Sequence, residues 1–211
     1  EEAAVVVIDV QNYFCHKDAP LWEHLDPADH AHTAAKLEES VSNIAGILKA
    51  FRSLRMEVLF TTVESLTRHG RDRSLDYKIS GFNVARGSWG GQVLEAIAPV
   101  DDEIVIPKTS SSVFISTNLQ YILRNLGVTQ VVLVGGLTDQ CVESAIRDAC
   151  DMGFLVTQVT DACYTHSAER QTSSIRAIKG YCRQRTTSQL LEELASLSPA
   201  RPWLESGFRG A

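Results

Sequence analysis

The chain has 211 residues, 44% hydrophobic and 22% charged, with a formal net charge of −6. That length suits a single domain spanning 1–211, because domains mostly run to roughly 100–200 residues. No stretch approaches the ~18 uninterrupted apolar residues of a membrane span, and the acidic balance lacks the basic footprint of a nucleic-acid-binding surface, so a small-molecule partner is expected.

The first element is Ala3 to Asp9 (AAVVVID), a Val-rich run that reads as a strand buried on both faces and ending on an acid. A long loop is expected from Val10 to His32. A helix follows over about Ala34 to Leu54, where Leu37, Val41, Ile44, Leu48 and Phe51 recur at three- and four-residue steps. Val58 to Val63 is the second strand, and a second long loop covers Glu64 to Gly91. Glu103 to Pro107 reads as a strand, Ile115 to Leu126 as a helix closed by Gly127, and Gln130 to Gly135 as a strand. Asp139 to Met152 is the next helix, closed by Gly153, then Phe154 to Val159 is a strand and Ala168 to Lys179 a helix closed by Gly180. Each of these glycines suits a left-handed helix cap. Tyr181 to Thr186 is a candidate sixth strand.

This alternation predicts an α/β fold: a doubly wound, Rossmann-like three-layer sandwich around a parallel sheet of five or six strands. Ligands of such sheets bind beyond the carboxyl ends of the strands, where both long loops begin. The tail, about 198–211, carries Trp203, Leu204 and Phe208, apolar groups suited to a subunit interface.

Three polar side chains fall at strand ends: Asp9, Lys108, and Cys141 at the start of a helix. Singly, each has an ordinary explanation: a loop cap, a solvated lysine, a small buried thiol. Together they form a chemical set. A thiol beside an ammonium and a helix N-terminus is pushed toward thiolate, the nucleophilic form, and a nearby carboxylate can carry its proton to a leaving amine. The loop Gly135 to Gln140 offers backbone amides to an oxygen that develops negative charge. The remaining cysteines, Cys15, Cys150, Cys163 and Cys182, show no CxxC pair or zinc spacing and read as packing residues. An odd total of five cysteines fits a reducing compartment, the cytoplasm, although the sequence starts at Glu1 and does not address targeting.

The chain resembles the isochorismatase-like cysteine hydrolases, which include nicotinamidases, carbamoylsarcosine amidohydrolases and ureidoacrylate or biuret hydrolases. The resemblance rests on VVVIDVQNYF (Val5 to Phe14), PKTSSSVF (Pro107 to Phe114), VVLVGGLTDQCVESAIRDACDMGF (Val131 to Phe154) and VTDACYTHS (Val159 to Ser167). It implies that Asp9 is general base and acid, Lys108 its electrostatic partner and Cys141 the nucleophile. It further implies a cis peptide at Gly136-Leu137, an oxyanion hole from the amides of Leu137 and Cys141, and assembly as a homo-oligomer, dimer or tetramer.

The segment after the second strand, Val63-Glu64-Ser65-Leu66-Thr67-Arg68-His69, lacks the Asp and His pattern by which nicotinamidases hold a metal. Neither metal nor other cofactor is expected, since Glu64 and His69 alone do not fill a first coordination shell. Gln11, Phe14, Glu64 and Trp89 are the expected pocket walls. Arg71, Arg73, Lys78 and Arg86 are candidates for a substrate carboxylate, or else a basic loop paired with Asp72 and Asp76. His16 and His166 read as surface or structural histidines. The leading function is cysteine-dependent hydrolysis of a small linear amide, carbamoyl or ureido compound. Hydrolysis of isochorismate with Asp9 as acid, and an idle site on a binding protein, are the alternatives.

Overall fold

The computed structural model describes residues 2–23 and 25–199. The elements run β1 (Ala3–Ile8), α1 (Asn12–Cys15), α2 (Pro27–Ser53), β2 (Glu57–Val63), α3 (Leu75–Ile79), β3 (Ile104–Lys108), α4 (Val113–Ser116), α5 (Leu119–Asn125) and β4 (Gln130–Gly136). Then come α6 (Glu143–Asp151), β5 (Leu155–Tyr164), α7 (Ala168–Ala177), β6 (Arg183–Arg185) and α8 (Thr187–Ala195). The six strands form one sheet in the order β3-β2-β1-β4-β5-β6. Every pairing is parallel.

The sequence pattern of β1 explains the layering. Alternate strand side chains point to opposite faces. Ala4, Val6 and Ile8 accordingly enter one core, with Val142, Ala145, Ile146 and Ala149 of the α6 side. Val5 and Val7 enter the other, against Ile44, Ile47, Leu48 and Phe51 of α2 and Leu190 and Leu194 of α8. Both faces are covered, as a strand without a polar face requires. The chain order reverses direction across the sheet between β1 and β4, the switch point where ligands bind in such folds.

Helix boundaries depart from the sequence reading where local hydrogen bonds take over. Helix α2 starts seven residues before the expected Ala34, because Asp26 caps it by accepting from the Ala28 amide and Pro27 occupies its first turn. The expected Val10 to His32 loop is thereby shortened, and it contains α1 and a 3₁₀ turn at Pro20–Glu23. The helix expected over Ile115 to Leu126 is broken in two: Thr117 adopts extended φ and ψ, and its hydroxyl accepts from the Leu119 amide to start α5. Strand β5 runs to Tyr164 rather than Val159, with its register against β4 shifting between Leu133 and Gly135. Strand β6 is shorter than expected. Among the described residues no helix is long and apolar enough to cross a membrane. The tail residues Trp203, Leu204 and Phe208 lie outside the described residues.

Two glycines set the approach of β4 to its neighbours. Gly135 has φ of 116°, and a Cβ there would strike the backbone of Ile8. A Cβ on Gly136 would strike the ring of Tyr164. Larger residues would push β4 away from β1 and β5 at the end of the sheet where the candidate site forms.

Candidate active site

Asp9 leaves β1 with φ of 55°, a left-handed conformation that Asp tolerates better than most residues. Its amide donates to Thr61 O at 3.1 Å. Its Oδ1 accepts from Thr61 Oγ1 at 2.7 Å. The side chain is thus anchored by the adjacent strand β2. Lys108 ends the edge strand β3, two strands from β1, and its long side chain crosses beyond the end of β2 to reach Asp9. There Nζ lies 2.8 Å from Asp9 Oδ2. Lys108 is fully buried, so the solvated strand-end alternative is excluded.

The same ammonium donates to Tyr77 Oη at 2.9 Å and to Ser110 O at 2.8 Å, and lies 3.4 Å from Cys141 Sγ. With Asp9 Oδ2, four acceptors surround an ammonium that carries three protons, so its donors are fully used. Asp9 Oδ2 has the ion pair with Lys108 and no other hydrogen-bond partner among the described residues. One carboxylate oxygen is therefore held by Thr61, and the other retains lone-pair capacity facing the thiol cluster.

Cys141 lies in a π-helical turn, Thr138–Val142, that precedes α6. The helix expected from Asp139 therefore begins as a wider turn, a feature often found at functional positions. The sequence-based expectation of a thiol pushed toward thiolate needs correction. Burial pushes the Cys141 pKa up to about 11; Lys108 pulls it down, and Asp9 pushes it up again. Desolvation outweighs the ammonium, and the resting sulfur keeps its proton at neutral pH. Burial disfavours the charge on Lys108, but Asp9, Cys141 and Tyr77 together raise its pKa and hold it as ammonium. Tyr77 is likewise raised, chiefly by burial, and stays a phenol.

A cavity of about 240 Å³ opens beside these groups. Asp9, Gly136, Leu137 and Cys141 line it, and the Gly136-Leu137 peptide is cis. Of the four expected wall residues, Phe14 lines the cavity and the other three do not. Gln11 is fully buried and committed to backbone: Nε2 donates to Val63 O at 3.0 Å and Gly90 O at 2.8 Å, and Oε1 accepts from Val63 N at 2.6 Å. Glu64 accepts from the Gly87 amide at 3.0 Å and so braces its own loop. Trp89 is exposed and packs edge-on against His16. All three lie near strand ends, but hydrogen bonding and packing direct them to the loops.

The lining side chains that sequence reading did not single out include Tyr13, Tyr77, Phe82 and Tyr164, which with Phe14 make an aromatic wall, and the polar Ser80 and Gln140. Tyr77 comes from α3, whose cap is Ser74, accepting from the Tyr77 amide at 3.3 Å. A Ser followed by a short apolar pattern was the available signal for that helix, but not for the direction of the tyrosine. His166 is buried rather than on the surface, and it is among the residues lining the cavity. The loop from Gly70 to Gly91 supplies Tyr77, Ser80 and Phe82 to the cavity, but its basic side chains do not line it. Arg73 donates to Gly70 O at 2.8 Å and to Phe82 O, while Arg71, Lys78 and Arg86 are exposed. Asp72 instead accepts from the amides of Leu66 and Thr67 and caps that turn, and Asp76 accepts from Ser111 Oγ of the segment after β3. Among the described residues, no group of three or more His, Cys, Asp or Glu is placed to hold a metal ion.

Fold and site together define a doubly wound α/β protein in which a buried acid, ammonium and thiol meet at the switch point of the sheet. The chain belongs to the isochorismatase domain family, which it matches over residues 3–189. It is similar to ureidoacrylate amidohydrolase RutB of Rhizobium rhizogenes, with 28% identity over 179 residues covering 77% of this chain and 70% of that protein. Among solved structures it resembles a cysteine hydrolase from Pseudomonas syringae pv. phaseolicola, with a TM-score of 0.80, 24% identity, and coverage of 92% of this chain and 93% of that one. It also resembles N-carbamoylsarcosine amidase from Thermoplasma acidophilum, with a TM-score of 0.71, 23% identity, and coverage of 89% and 97%. At these identities the two structures establish the shared fold.

Proposed function

We propose that this chain hydrolyses a small linear amide, carbamoyl or ureido compound through a covalent intermediate on Cys141. The reaction class, hydrolysis of a carbon–nitrogen bond other than a peptide bond, is supported by family membership and by its amidohydrolase relatives. The observation that carries the mechanism is the buried contact of Lys108 Nζ with both Asp9 Oδ2 at 2.8 Å and Cys141 Sγ at 3.4 Å.

In this mechanism the Asp9 carboxylate takes the thiol proton as sulfur attacks the substrate carbonyl carbon, so no resting thiolate is needed. Lys108 remains charged and balances first the carboxylate and then the thiolate. The carbonyl oxygen becomes negative in the tetrahedral intermediate, where the amides of Leu137 and Cys141 are its proposed donors. Asp9 then returns the proton to the leaving nitrogen, the carbon–nitrogen bond breaks, and a thioester, or a thiocarbamate from a ureide, stays on Cys141. Asp9 next takes a proton from water, whose oxygen attacks the same carbon. Collapse releases the acid, and sulfur recovers its proton.

Cys141→Ala should lower amide turnover by about 10³-fold or more, as expected when a covalent nucleophile is removed. Mass spectrometry of the wild-type chain after rapid acid quenching should find the acyl adduct on the peptide containing Cys141. Full turnover in Cys141→Ala would refute the covalent route. The family's name motivates a competing reading, vinyl-ether hydrolysis with Asp9 as acid; isochorismate turnover retained in Cys141→Ala would favour it.

A further inference from the structure

The cavity has a chemical composition that bears on the substrate. Its lining holds the rings of Tyr13, Phe14, Tyr77, Phe82 and Tyr164 and the neutral polar groups of Ser80 and Gln140, and among the described residues no arginine or lysine side chain lines it. Lys108, beside the cavity, is already paired with Asp9 and is further surrounded by Tyr77, Ser110 and Cys141. Arg73 and Arg170, which act on the lining groups Tyr13 and His166, are engaged elsewhere: Arg73 with the backbone of Gly70 and Phe82, and Arg170 with Asp139 at 2.6 Å. His166 is the remaining lining group able to become cationic. Its pKa is lowered by burial and by Arg170, against smaller opposing effects of Asp139 and Asp29, which leaves the ring neutral at neutral pH.

A substrate carboxylate entering this cavity would lose water and gain at most neutral hydrogen bonds with no counter-ion, which leaves much of the desolvation cost standing. It would also approach the carboxylate of Asp9. An uncharged, apolar or aromatic body gains contact with the rings instead. His166 Nδ1 is buried without a hydrogen-bond partner among the described residues, and it offers such a body one neutral hydrogen bond.

Building on the hydrolase reading above, we infer that the substrate is an uncharged amide or monosubstituted urea with an apolar or aromatic body. That differs from the ureido acid named for the relatives, whose carboxylate has no cationic partner among the described residues lining this cavity.

The test compares ureides that present the same reacting group. Purified full-length chain is assayed at pH 8 for ammonia release from N-butylurea, benzylurea and 3-ureidopropionate, with Cys141→Ala as control. The inference expects kcat/KM for both uncharged ureides to exceed that for 3-ureidopropionate by at least tenfold. Equal values, or preference for the carboxylate, overturn the inference while leaving Cys141-dependent hydrolysis standing. Turnover that persists unchanged in Cys141→Ala, or no turnover of any of the three together with no adduct on Cys141, overturns both.

Discussion

Replacing Asp9 by Asn separates two roles that are easily confused. At pH 8, a thiol with a pKa of about 11 is ionised in roughly one molecule per thousand, because each pH unit below the pKa costs a factor of ten. Asp9 contributes to that suppression, since its charge opposes a second negative charge on Cys141. Asn removes the charge and leaves Lys108 with the sulfur as its available counter-ion. A loss of repulsion worth only about 1.4 kcal/mol, modest for charges this buried, raises the thiolate population tenfold. Asn also has no carboxylate to accept or return a proton, a function worth roughly 10²–10⁴ in rate. The expected outcome is therefore opposite in sign for two readouts: iodoacetamide alkylation of Cys141 at pH 8 rises about tenfold or more, while amide turnover falls by about 10²-fold or more. Alkylation is followed across pH by intact-protein mass spectrometry, and circular dichroism checks that the variant remains folded. In a folded variant, alkylation that falls together with turnover would refute the reasoning, because Asp9 would then be promoting the thiolate rather than carrying its proton.

Two further substitutions probe groups that the sequence left unassigned or misassigned. Tyr77→Phe keeps the ring against Phe82 but deletes the hydroxyl that accepts from Lys108 and lies 3.8 Å from Cys141 Sγ. Turnover should fall about ten- to a hundredfold, the equivalent of roughly 1.4–2.8 kcal/mol for a hydrogen bond to a charged group, with little change in thermal midpoint. An unchanged kcat would show that the phenol merely fills space. Gln11→Leu removes three hydrogen bonds to the backbone of Val63 and Gly90. It should cost about 3 kcal/mol and lower the thermal midpoint by about 6–12 °C. A changed KM with an unchanged midpoint would return Gln11 to the pocket wall.

Much of the architecture was legible because the relevant signals are local and periodic. Apolar runs such as AAVVVID and QVVLVG cannot show a polar face to water, so a sheet covered on both sides follows from them. Helix-closing glycines at 127 and 153 have positive φ, as left-handed caps do. The errors fell where one hydrogen bond redirects the chain, as at Asp26 before α2 and at Thr117 between α4 and α5. Capping of this kind is decided by a few atoms and leaves little trace in hydrophobic periodicity.

The sequence by itself determined the α/β alternation and the three strand-end positions, Asp9, Lys108 and Cys141, because their spacing relative to buried strands places them at one edge. Tertiary structure alone decided what surrounds them. It buried the ammonium completely, drew Tyr77 and His166 from separate segments into one cavity, and turned Gln11 and Glu64 away to brace loops. It also reversed the expected state of the thiol, because desolvation depends on every atom packed around sulfur, whereas the sequence displays only the nearby charges.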